Sequence, residues 1–339
     1  MRLSAGNRET NHKIVLTNHY ITRRKIIMKI TKKRVGLGVA IIIALGILWT
    51  VLKPAPAEAA DVSVYGNLNY MVSNNDDASG NSTAKAENNG SAIGVNITEE
   101  LAEGVTGFGK IEVSVDTDDS GSTPFDSKLA YAGIDMGNVG TLSAGRQNSV
   151  FKGAVTSKTD VFPEYGGKAA QKLFSRDSHT VQYSNQIGPI AFDNMVKIDG
   201  ATGKDGIDVY ETAATMSLDE SIDLGVAYSD DKVNDVKYYG AGVTVAVGDD
   251  TSIGYNHTIK DNTVTNLETK ANEITGTHTI DSTTFALGYG KVDDGNAYTT
   301  FGAKQKVTEK LELYGAYEMA DVASGTDTNG MSFGLKLKF

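Results

Sequence analysis

Between Gly104 and Asp116, Lys110, Glu112, Ser114 and Asp116 alternate with Ile111, Val113 and Val115, so that an extended chain would carry charge on one face and aliphatic groups on the other. The period recurs near the C-terminus. There Glu312, Tyr314 and Glu318 oppose Leu311, Leu313, Tyr317 and Met319, and Lys336 and Lys338 oppose Phe333, Leu335, Leu337 and Phe339. Ionised side chains without partners are too costly for a dry core. These faces must border water, where they act on solutes through their field rather than by making bonds. Residues suited to bond chemistry are sparse. The five histidines, His12, His19, His179, His257 and His278, have no metal-ligand spacing, and without cysteine there are no disulfides, zinc thiolates or cysteine nucleophiles. No Ser/His or Asp/His set is legible, so the chain is not read as an enzyme and no resident cofactor is expected. Asp116-x-Asp118-x-Ser120-Gly121 imitates the start of a calcium loop, but Ser127 stands where the bidentate Glu belongs and no helices flank it.

The elements that would position these residues follow from the rest of the chain. Residues 1–60 hold 11 of the 32 Lys and Arg and 2 of the 42 Asp and Glu, leaving 21 basic against 40 acidic groups, a net −19. So acidic a surface attracts cations and repels nucleic acid. Met28 to Arg34 is a basic start, Val35–Leu52 an apolar run and Ala57-Glu58-Ala59 a small-x-small pattern, together the parts of a secretory signal over 28–59. Retention of the long apolar run as an anchor is the alternative. Residues 1–27 carry no targeting pattern and read as an upstream start assigned in error. After Ala59 no window approaches the roughly twenty apolar residues of a membrane helix. Residues 60–339 instead show about sixteen short alternating runs broken by Gly, Asn, Asp and Ser, with tight connections such as Asp219-Glu220 interleaved with longer ones such as Ser73–Gly90 and Asp261–Glu268. The fold class predicted is all-β, a transmembrane antiparallel β-barrel of about sixteen strands. Asn148–Ser175 is the longest segment without a strand. Its Val155, Val161, Phe162, Tyr165, Leu173 and Phe174 suit packing against the inner wall, with Pro163 and Gly166-Gly167 supplying a turn.

Tyr65-Gly66, Ser127–Met136, Val139–Arg146 and Thr159-Asp-Val-Phe-Pro-Glu-Tyr-Gly-Gly167, with the final Phe339, resemble the trimeric general porins of Gram-negative outer membranes. The resemblance implies an outer-membrane channel for passive diffusion of small hydrophilic solutes and ions, assembled as a homotrimer, with Phe339 as the signal read by barrel-assembly machinery. It implies that 148–175 folds inward as the constricting loop, and that Asp160 and Glu164 on it face a basic wall carrying Lys128 and Arg176. By parity Lys128 and Arg176 point inward, opposite Leu129 and Val181, either as constriction residues or as solvated lumen lysine and arginine. Lys110 and Glu112 are lumenal. Asn67 and Ala92 stand where the family often places basic residues, so the positive half is thinned and cations should be favoured. Arg146 falls on the outward face, shielded by a subunit contact or snorkelling at the membrane edge. The acidic stretch from Asp116, with Asp230-Asp231 and Asp293-Asp294, is a candidate for divalent cations bridging to lipopolysaccharide phosphates. A solute-selective channel with a lumen site and a plugged surface or adhesion barrel are the alternative functions. No aromatic slide is legible along the lumen.

Overall fold

The computed structural model describes residues 60–118, 124–201 and 206–339; the leader, with the signal and extension read in it, lies outside them. The alternating runs become strands. The first sector holds β1 (Asp61–Asp76), β2 (Ser82–Asn88), β3 (Ala92–Ala102), β4 (Val105–Val115) and β5 (Phe125–Asp135). Then come β6 (Thr141–Asn148), β7 (Arg176–Ile187), β8 (Ile190–Lys197), β9 (Val209–Leu218), β10 (Ile222–Asp231) and β11 (Val236–Val247). The last are β12 (Thr251–Asn262), β13 (Leu267–Ile280), β14 (Thr283–Val292), β15 (Ala297–Lys306), β16 (Leu311–Asp321) and β17 (Thr328–Lys338).

From β3 onward each strand pairs antiparallel with the next, and β1 closes the circle on β17 from Asn67↔Lys338 to Asn75↔Gly330. Past the end of β17, Phe339 exchanges two 3.1 Å backbone hydrogen bonds with Gly66. β2 pairs with the second half of β1 and β3 with the first half, so these two share one position and the seventeen strands fill sixteen. Closure leaves no open edge, the condition for a sheet to cross hydrocarbon. The outward positions are apolar and exposed, among them Val62, Val64, Ile111, Phe301 and Phe333. Among the described residues no helix is long and apolar enough to cross a membrane.

One rim carries the tight turns, including Asp219 (φ 49) and Glu220 (φ 57), a two-residue turn with both central residues left-handed, as the twist of a hairpin prefers. The long connections expected at the other rim are mostly strand. β1 and β2 leave only 77–81 between them, and β12 and β13 only 263–266. The reason is physical: these strands project past the apolar band, both faces become polar, and alternation vanishes while the backbone ladder continues. The connection 149–175 instead turns into the bore.

Candidate pore constriction

The inward loop starts at Ser149, whose Oγ accepts from the Lys152 backbone N–H at 3.1 Å and caps the short helix α1 (Val150–Ala154). Phe151 and Val155 are fully buried in an apolar cluster with Met195, Ala213, Val236 and Tyr238 of the barrel wall, and Leu173 and Phe174 pack on it from the returning limb. Burying each large side chain contributes about 1.5–3 kcal/mol. A 3-10 turn (Thr156–Thr159) carries the chain on. At the tip, after Pro163, Tyr165, Gly166 and Gly167 have φ of 61, 67 and 63, three successive left-handed residues. The carbonyl of Pro163 accepts from Asn89 Nδ2 at 3.2 Å, and the Tyr165 hydroxyl donates to Asn75 at 2.8 Å.

Three glutamates of the wall hold this loop. Glu211 on β9 accepts from Ser149 Oγ at 2.8 Å and from the Phe151 N–H at 3.3 Å. Glu273 on β13 accepts from Thr159 Oγ1 (2.9 Å) on the outgoing limb and from the N–H groups of Ala169 (2.9 Å) and Ala170 (3.2 Å) on the returning one. Glu318 on β16 accepts from the Gly166 N–H at 3.2 Å and pairs with Lys168. Each carboxylate is nearly inaccessible and satisfies loop donors that would otherwise be stranded in the wall.

The wall is also cut back to receive the loop. A Cβ on Gly225 of β10 would overlap the Ala154 carbonyl, and one on Gly254 of β12 would overlap that of Lys158. On Gly240 of β11 it would lie 2.8 Å from Phe151, and on Gly288 of β14 and Gly302 of β15 it would lie 2.7 and 3.0 Å from Phe162. These glycines form a furrow across β10, β11, β12, β14 and β15, and the loop lies in it rather than across the open bore.

The charged groups divide accordingly. Asp160 is exposed on the loop, with Lys152 Nζ 3.6 Å from its carboxylate, and shares a cavity with Lys304 of β15. Glu164 is half-buried. On the wall the loop leaves open, Lys128 Nζ lies 2.9 Å from Glu112 Oε1, the Tyr65 hydroxyl donates to Glu112 Oε2 at 2.6 Å, and Lys110 sits 4.9 Å above the Tyr65 ring. Lys128 reaches the lumen because a bulge interrupts the β4–β5 register there; Leu129, paired with Glu112, points the same way, so simple parity fails. For Arg176 it fails with the opposite result. The β6–β7 register shifts beyond Gly145, His179 takes φ 59, and Arg176 pairs with Asn148 on the face away from lumenal Asp177 and Gln147. The thinned positive half is corrected too. Asn67 pairs with Lys338, and Lys336, within electrostatic reach of Lys128, Lys304 and Lys338, pairs with Glu312. Arg146 faces outward, its Nε donating to the Ser127 carbonyl and its Nη1 to Ser178 Oγ, both at 3.1 Å. Among the described residues no three His, Asp or Glu side chains converge to hold a metal ion, and Asp118 is engaged by the Asn88 N–H at 3.0 Å.

A family model for Gram-negative porins matches residues 43–329. The chain belongs to the Gram-negative porins. Its barrel superposes on the anion-selective porin from Comamonas acidovorans with a TM-score of 0.71 at 16% identity, covering 83% of this chain and 100% of that one. OmpF of Salmonella typhi, solved with daunomycin, gives 0.67 at 16% identity over 82% and 97%. The trimer form of OmpT from Vibrio cholerae gives 0.67 at 17% over 83% and 100%. No curated protein matches the sequence. The porin is thus an outer-membrane channel with a closed sixteen-position barrel. Its loop-holding residues Glu211 and Glu273, the furrow glycines and Lys304 of β15 escape a reading of the sequence alone. Their signal is weak, since each is one small or polar residue on a lumenal face whose partner lies 60 or more positions away for Glu211 and over 100 for Glu273. Desolvation pushes the Glu164 carboxyl above the usual carboxylate range, against the pull of the Tyr165 N–H and Lys168.

Proposed function

We propose that this porin is a passive, water-filled pathway for small hydrophilic solutes and ions, narrowed by the recessed loop 149–175. The observation that carries this reading is a polar lumen in which loop donors are satisfied by Glu211, Glu273 and Glu318, so that the loop narrows the bore without plugging it. Purified protein in a planar bilayer should give stable, ohmic unit steps; a barrel plugged by its loop would give none.

Selectivity is proposed to be modest. The cation preference suggested by the sequence rests on exposed Asp160 and the acidic chain as a whole, and Lys110, Lys128, Lys304 and Lys336 oppose it. Fold does not set the sign, as the anion-selective relative illustrates. Asp160→Asn should move the reversal potential in a salt gradient toward anions, and Glu164→Gln less so at mildly acidic pH. The raised Glu164 pKa means its charge is lost earlier than an ordinary Glu as pH falls, so the acid-induced drift toward anions should begin early and should be smaller in Glu164→Gln. Reversal potentials that ignore both substitutions and pH would remove these carboxylates from the constriction.

Assembly as a homotrimer is proposed from family membership and the trimer form of the Vibrio relative, with Arg146 at the subunit contact. Export through the 28–59 signal and contact with lipopolysaccharide belong to the same proposal.

A further inference from the structure

The lumen has a sector unlike its lysine wall. Beside α1 lies a cavity of about 470 Å³ lined by β4 to β9, within the range of roughly 300–1,000 Å³ typical of small-molecule sites. Two rings form its corner. Phe108 stands directly across from Gly133, and because Gly133 has no side chain the ring lies along the wall over that residue rather than across the bore. Tyr131 meets Phe108 edge-on, centroids 6.4 Å apart and planes at 79°. Tyr65 repeats the device over its cross-strand partner Gly94, so the structure does gather lumenal aromatics on β1, β4 and β5 that the sequence does not reveal as a series.

Most of the rest of the lining is an ordered set of donors and acceptors, neutral except for Asp193. Ser184 Oγ donates to Asp193 at 2.5 Å, and Gln182 Nε2 donates to Ser184 at 3.2 Å. Gln147 accepts from Ser143 at 2.7 Å and donates to Thr180 at 3.1 Å. These bonds fix the amides and hydroxyls without any lysine or arginine in the lining, and Asp193 is its one carboxylate. An anion has no counter-charge there, and a purely apolar solute would strand the polar groups.

Resting on the porin reading, we propose that this niche is a carbohydrate subsite: the C–H groups of a sugar ring pack into the corner between Phe108 and Tyr131 while its hydroxyls bond to Gln147, Gln182, Ser184 and Asp193. A flat apolar face flanked by several hydroxyls is the chemistry that such a corner complements. Because the niche adjoins the loop, an occupant dwells beside the narrowest section and obstructs ions.

Maltose added to reconstituted channels tests this, with polyethylene glycol of the same hydrodynamic size as the comparison and each variant's current normalised to its own sugar-free value. The expected result is a saturating loss of ion current with maltose and only a linear, viscosity-like loss with the polymer. Tyr131→Ala and Gln182→Ala should each raise the half-blocking concentration, by about tenfold for the ring. A linear maltose response matching the polymer, or a saturating block indifferent to both variants, overturns the subsite while leaving the channel intact. Absence of any ion conductance removes the channel reading itself, and the subsite with it.

Discussion

Valine in place of Gly254 should lower single-channel conductance to roughly half while the barrel still forms, because the channel's bore depends on how deeply the loop is recessed. The side chain would occupy the position of the Lys158 carbonyl, which is backbone and cannot rotate away. Nothing in the β12 ladder is lost, since Gly254 keeps its pairing with Thr244 and Thr275. The loop must therefore lift off the wall toward the axis. Gly225→Val, aimed at the Ala154 carbonyl, should act in the same direction. Gly276→Val on β13, on the outward face beside Ile253 and Leu287 where a Cβ meets nothing within 4 Å, is the control for a valine in a neighbouring strand and should leave conductance alone. Equal conductance in all three variants would mean that the furrow does not set the bore.

The second large effect is expected at Glu273. Its carboxylate accepts from Thr159, Ala169, Ala170 and Asn256, so it ties both limbs of the loop to one strand. Glu273→Ala leaves the Ala169 and Ala170 N–H groups without an acceptor, at about 1–3 kcal/mol for each left unsatisfied, while Asn256 still donates to Thr159 Oγ1. Release of the returning limb offsets that penalty by letting water in. Current records should then show frequent substates and several-fold greater open-channel noise than the parent, where a docked loop gives quiet steps. Glu273→Gln, which keeps size and one acceptor oxygen, should be intermediate. Quiet, parent-like steps from Glu273→Ala would show that Glu211, Glu318 and the apolar cluster around Phe151 and Val155 hold the loop without it.

The barrel is legible in the sequence wherever a strand crosses the apolar band, because hydrocarbon on one side and water on the other impose a period of two on every residue between. Lys110 and Glu112 are assigned to one face on that ground alone, and in the structure both sit against Tyr65. Beyond the band the constraint lapses, which is why Ser73–Gly90 reads as a loop although β1 and β2 continue through most of it. Bulges defeat parity in a second way. A single extra residue brings Lys128 into the lumen alongside Leu129 and turns Arg176 away from it, and nothing local in either run announces the shift. The loop is legible as an apolar segment too long to be an idle connection, with its tip marked by Pro163 and two glycines. What anchors it is not. Glu318 shows as an inward charge, yet its bond to the Gly166 N–H spans 152 positions, and the furrow glycines look like ordinary strand glycines until the loop is laid against them.

The claim beneath all of this is that alternate positions of each strand face water inside the barrel and lipid outside it. Because the chain lacks cysteine, single cysteines can report on it without background. In channels reconstituted in a bilayer, Lys110→Cys and Glu112→Cys should react with a charged, membrane-impermeant methanethiosulfonate and change the current in step. Ile111→Cys and Val113→Cys should stay unmodified. Labelling of all four alike, or of the two aliphatic positions alone, would contradict a water-filled barrel with this facing.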